Sequence, residues 1–92
     1  MASQREQDPH GRALAQMIAA ATQVAQDAGM VPTGLVSASL DWLGDQTMPW
    51  GQVEAQMTKA TRTLLFMSVT LHRPDGARQA HGSLLFRRAK PA

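Results

Sequence analysis

The stretch from residue 59 to residue 86, KATRTLLFMSVTLHRPDGARQAHGSLLF, holds two runs of alternating apolar and polar residues on either side of Pro74, Asp75 and Gly76. Successive side chains of a strand point to opposite faces, so every second residue shares a face. From Thr63 to His72 this rule sends Leu65, Met67, Val69 and Leu71 to one face, with Leu64 and Phe66 on the other. Apolar residues on both faces predict an inner strand, covered on both sides near its start. Pro74 sets the backbone angle of a tight turn and Asp75 and Gly76 complete it. Gln79 to Arg88 then returns as the last strand.

Upstream of this hairpin the chain offers two further strands and one helix. In GLVSASLDWL, residues 34–43, Val36, Ala38, Leu40 and Trp42 alternate with Ser37, Ser39 and Asp41. The turn-rich GDQTMPWG breaks that pattern. Val53, Ala55 and Met57 then alternate with Gln52, Glu54, Gln56 and Thr58. Earlier still, Leu14, Met17, Ile18, Ala21, Val24, Ala25 and Ala28 recur at the three-and-four spacing of a helix with one apolar stripe. Gln16, Gln23, Gln26 and Asp27 fall largely off that stripe. Gly29 suits the residue after a helix end, and Pro32 prevents the helix from resuming, so a helix is expected from Gly11 to Ala28. The expected architecture is α+β, with one long helix packed on a curved antiparallel sheet of four strands. Residues 1–10 read as a polar leader, 11–88 as a single domain and 89–92 as a basic tail.

Composition narrows the function classes. The chain has 92 residues, enough for one domain with a modest core, so help from a partner subunit is expected. Hydrophobic residues make up 43%, yet Gln, Thr, Asp and Arg interrupt every stretch well short of a membrane span. The start, MASQREQDP, has no apolar region of a secretory signal. With no cysteine there is no disulfide framework and no thiolate metal site. The cytoplasm is the expected location.

Charge is unevenly distributed. Residues 1–58 carry two basic against six acidic side chains, and residues 59–92 carry seven basic against Asp75 alone. The basic half suits a phosphate-bearing ligand, an acidic partner or nucleic acid. Equally, Arg73, Arg78, Arg87 and Arg88 suit strand ends that charge keeps from aggregating. Nucleic acid is not expected, because the long helix carries only Arg12 and no strand presents paired aromatics. No metal is expected at His72 and His81, which share a face of the hairpin without a third ligand. Trp42 and Trp50 bracket the turn-rich loop and are expected to cap the core or a subunit face.

Taken in order, HGRALAQMIAAATQVA, SASLDWL and GQVEAQMTKATRTLLFMSVTLHRPDGARQAHGSLLF resemble the hotdog fold of acyl-CoA thioesterases, over residues 10–88. Both the thioesterase II type and the smaller phenylacetate-pathway type are similar. The resemblance implies a homodimer or larger assembly that hydrolyses acyl-CoA or a related thioester, with the acyl chain between helix and sheet. It implies no cofactor beyond coenzyme A as part of the substrate, and neither a nucleic-acid nor a membrane partner. Relatives carry a strand before the helix, where this chain has MASQREQDP. Relatives also carry an acidic residue further along the helix, where this chain has Ala19, and a second glycine where Arg12 stands. These departures imply the alternative of a non-catalytic truncated hotdog domain that binds an acyl ligand or dimerises.

Thioester hydrolysis needs a polarised carbonyl and an activated water. A helix start supplies the first through unpaired N–H groups and the positive end of the helix dipole. Gly11 and Arg12 are therefore the candidate oxyanion site, with His10 a candidate base and Gln16 a candidate water-positioning group. Asp41, with Thr61 or Thr63 and Gln56, is similar to the Asp, Gln and Thr combination of the thioesterase II type. The candidate catalytic set is His10, Gly11, Gln16 and Asp41. Arg12, Lys59, Thr61 and Arg62 form the candidate substrate-binding set, because relatives meet the phosphates of coenzyme A near the last three. Arg suits phosphate by bidentate hydrogen bonds and Lys as a point charge. Met17, Met57 and Met67 fit either the core or the wall of an acyl pocket.

Overall fold

The computed structural model of the chain describes residues 9–44 and 50–90. One helix, α1 (Pro9–Asp27), precedes four strands: β1 (Pro32–Trp42), β2 (Gln52–Ala60), β3 (Leu64–His72) and β4 (Arg78–Arg88). All strand pairs are antiparallel and the sheet order is β1-β4-β3-β2. β3 is an inner strand, as its two-sided apolar pattern predicts, and β1 and β2 are the edges.

The helix begins two residues before the expected Gly11. Proline lacks an N–H, which the first turn leaves unpaired in any case, so Pro9 is a favourable first residue. At the other end the Met30 N–H donates to the Ala25 carbonyl and the Gly29 N–H to the Gln26 carbonyl, both at 2.9 Å. This pair of bonds is a Schellman closure, and it requires the left-handed backbone that Gly29 adopts at φ 79°. The hairpin turn works similarly. The Gly76 N–H donates to the Arg73 carbonyl at 2.8 Å, and Gly76 itself has φ 92°.

Ala13, Met17, Ala21 and Ala25 are the fully buried line of α1, each four residues after the last. Three of them are alanines, so the helix axis comes close to the sheet. The fourth, Met17, needs room, and Gly82 on β4 provides it: a Cβ there would lie 2.6 Å from the Met17 Sδ. Opposite the helix stand Leu65, Met67, Val69 and Leu71 of β3, with Ala80, Leu84 and Phe86 of β4. Burial of a Leu or Val side chain contributes about 1.5–3 kcal/mol, so β3 and β4 anchor the fold. Val53, Ala55 and Met57 of β2 are half-buried beside them.

β1 is different. The helix leans toward β2 and β3, and from Thr33 to Ser39 every residue of β1 is exposed. Its face pattern also departs from simple alternation. Leu35 pairs with Phe86 and Ser37 with Leu85, so Val36 is the extra residue of a bulge and the helix-facing set continues as Ala38, Leu40 and Trp42. Among the described residues the exposed large hydrophobics are Val31, Leu35, Val36 and Leu43, all in or beside β1.

Candidate functional site

The start of α1 and the neighbouring ends of β1 and β2 form one cluster. Trp50 donates its indole N–H to the Gln16 Oε1 at 2.7 Å. The Arg12 guanidinium lies over the Trp50 ring, 5.6 Å from its centroid. Trp42 completes the group with its ring 6.2 Å from that of Trp50 and tilted by 47°. Gly11 and Arg12 are exposed in the first turns of the helix, and His10 precedes them in the same turn by its backbone. Because Trp50 engages the Gln16 oxygen, the amide nitrogen is the free-facing donor of that side chain.

The second candidate group lies at the other end of β2. Thr61 is a turn residue whose hydroxyl accepts from the Leu64 N–H at 3.0 Å and whose carbonyl accepts from the Arg88 guanidinium at 3.2 Å. Arg62 is exposed in that turn, and the Lys59 ammonium lies 5.8 Å from the centre of the Phe66 ring. At about 3.4 Å per residue, the length of β2 puts roughly 27 Å between this group and the helix start.

Asp41 belongs to neither group. Trp42, its neighbour, faces the helix, so Asp41 faces away from it, opposite His81 in the register. Gln56 shares that outer face but sits on β2, three strand spacings or about 14 Å across the sheet from β1. Within one chain the structure brings Arg12 and Gln16 to Trp50, which in turn meets Trp42, with Gly11 next to Arg12 in the helix. It does not bring Asp41 to them, nor Asp41 to Gln56 and Thr61, nor Lys59, Thr61 and Arg62 to the helix start.

The outer face holds a feature that the sequence did not disclose. Gln56, Ser68, Ser83 and Ser39 form one row across the sheet, and Glu54, Thr70, His81 and Asp41 form the next. His81 bonds diagonally, its Nε2 lying 2.9 Å from the Ser68 Oγ. Beside them opens a cavity of about 440 Å³, lined by the hydroxyl residues Ser37, Ser39, Thr58, Ser68 and Ser83 together with Phe66. Thr58 is the bulged residue of β2, fixed by its hydroxyl donating to the Phe66 carbonyl at 3.1 Å. Each residue lies on the polar side of an alternating pattern, but partners across strands follow from register alone. Of the other histidine, Nε2 lies 3.6 Å from the Glu54 carboxylate, so His72 and His81 have separate partners.

No protein-family model and no curated protein matches the chain. Among solved structures it is similar to a single-substitution mutant of a hypothetical thioesterase protein from Streptococcus pneumoniae TIGR4, with a TM-score of 0.74 and 13% sequence identity. The match covers 88% of this chain and 67% of that one. The fold is hotdog-like. A helix laid on a four-stranded antiparallel sheet in this order is a hotdog-like arrangement, and at such low identity the likeness speaks for the fold alone. Among the described residues no helix of this hotdog-like domain is long and apolar enough to cross a membrane.

Proposed function

We propose that the chain is a thioesterase-like protein that binds an acyl thioester of the acyl-CoA kind and hydrolyses it. The observation that carries this reading is the fold shared with a hypothetical thioesterase. The uneven cover of the sheet supports a place for the acyl group. On the helix-facing side of β1, Ala38 is exposed and Leu40 and Trp42 are half-buried, so an apolar trough runs beside α1. The thioester carbonyl then meets the unpaired N–H groups of the first turn, among them that of Gly11, with the Arg12 guanidinium close by; because the helix begins at Pro9, the Arg12 N–H itself belongs to the helical ladder. His10 takes the proton of the attacking water, and the Gln16 amide nitrogen orients it.

The proposal includes a homodimer, paired along β1. Antiparallel pairing of two β1 edges covers Val31, Leu35, Val36 and Leu43 and closes the trough. Pairing along β1 leaves β2 outermost in the joined sheet, so the assignment of Lys59, Thr61 and Arg62 to the substrate phosphates rests on their charge and hydrogen-bonding chemistry and is tested by itself in Arg62→Ala. Acyl-CoA as substrate places the reaction in the cytoplasm.

A second reading has its own support. Position 19 on the exposed side of α1 is alanine, and the first turn of the helix carries no acidic residue. Without a carboxylate to activate water, the domain would bind an acyl ligand without cleaving it. Incubation with acyl-CoA thioesters of graded chain length, with free thiol measured over time, separates the two. We expect turnover that falls at least about 10-fold in Arg12→Ala, in line with loss of one electrostatic group, and weaker coenzyme A binding in Arg62→Ala. Saturable binding with no release of thiol at any chain length supports the binding module and defeats the hydrolase.

A further inference from the structure

We propose that the outer face of the sheet carries a second, serine-based acyl-transfer site. Ser68 is its nucleophile, His81 its general base, and small uncharged carboxylic esters are its substrates. A nucleophile and its base are recognised by hydrogen-bond reach, which the 2.9 Å between Ser68 Oγ and His81 Nε2 satisfies. Both side chains are half-buried, so neither is freely solvated. Independently of that bond, Ser68 lines the 440 Å³ cavity, which gives an incoming carbonyl somewhere to sit.

The lining chooses the substrate class. No charged side chain lines the cavity, while Phe66 and Leu85 offer it an apolar wall and the serines offer it hydroxyls. A neutral ester with a short acyl or alkyl group matches such a surface, whereas a phosphate-bearing thioester does not. The backbone N–H groups of inner strands are engaged in the ladder, so oxyanion donors must be side chains. Ser83 stands directly opposite Ser68, and Ser39 opposite Ser83. Asp41 stands opposite His81 in the register of the adjoining strand β1, while the His81 ring turns to Ser68 on β3.

The steps balance without a co-reactant other than water. The Ser68 Oγ attacks the ester carbonyl carbon as its proton passes to His81 Nε2. The bond from that carbon to the alcohol oxygen breaks, and the alcohol leaves with the proton from His81. Water then attacks the acyl-serine, giving a proton to His81. The bond to Ser68 Oγ breaks, the carboxylic acid departs, and the proton returns from His81 to Ser68.

This site lies on the sheet face away from α1, so it stands or falls separately from the thioesterase reading. The test treats the whole chain with a fluorophosphonate and locates the adduct by peptide mass spectrometry. The expected result is one adduct, on Ser68, absent in Ser68→Ala. His81→Ala slows labelling by about 100-fold or more, as for a lost general base, and free imidazole restores part of the rate. Circular dichroism confirms that each variant is folded, and His81→Gln takes the place of His81→Ala if the latter is not. An adduct on another serine, no adduct, or an unchanged rate in the folded histidine variant overturns the proposal.

Discussion

Gly82 shows how much one missing methyl can matter. Its position opposite Met17 is a fit of smallest against long, and both residues are buried. Gly82→Val forces the Met17 side chain out of its place between Ala13 and Ala21, and the added Cβ also lies 3.4 Å from the Ser39 carbonyl oxygen. Overpacking of this kind costs about 1–3 kcal/mol. In a domain of this size each kcal/mol shifts the midpoint by about 4–8 °C, so thermal unfolding should show a clear fall. Shortening the partner, in the Gly82→Val, Met17→Ala double variant, should cost less than the two single changes summed. Strict additivity would mean that the two side chains do not compete for one space.

Helix α1 is held by its end as well as by its stripe. The Schellman closure at Gly29 pairs two carbonyls that would otherwise lack partners, and its geometry excludes a Cβ on energetic grounds alone, since nothing lies within 4 Å of one. Gly29→Ala should therefore destabilise by about 1–2 kcal/mol through the left-handed backbone, and not through a clash. Urea denaturation measures it: a lower midpoint with an unchanged slope is expected. A neutral result would show that the chain leaves α1 by another route. The strands divide by the same logic of cover. β3 alternates buried and half-buried residues along its whole length, whereas β1 pairs with β4 alone and exposes most of its side chains.

For the whole molecule, the exposed edge at β1 is the feature that asks for a partner. A long edge strand with free backbone groups and exposed apolar residues is a template for pairing, and it lacks the charges that blunt such edges. Its single charge, Asp41, is near one end. β2 by contrast carries Lys59 and Glu54 along its length, with exposed glutamines. Sedimentation velocity should find a dimer that dissociates toward monomer in Val36→Lys, with the circular dichroism spectrum unchanged because Val36 is 48% exposed. A wild-type chain that stays monomeric at high micromolar concentration would remove the β1 edge as an interface, and with it the homodimer of the thioesterase proposal.

Periodicity is a local property, and whatever rests on it could be read from the order of residues. The alternation of Leu65, Met67, Val69 and Leu71, the stripe through Met17 and Ala21, and the turn at Pro74 to Gly76 together announce a helix followed by antiparallel strands. The helix start was legible to within two residues for the same reason, whereas the approach of Trp50 and Trp42 to Arg12 and Gln16 was not. Register and helix placement are different in kind, because each depends on residues far apart in sequence. Folding alone seated Met17 against Gly82 and left β1 uncovered. It also parted Lys59 and Arg62 from Arg12, turned Asp41 to the outer face, and set His81 beside Ser68 through a diagonal that no pattern within a single strand encodes.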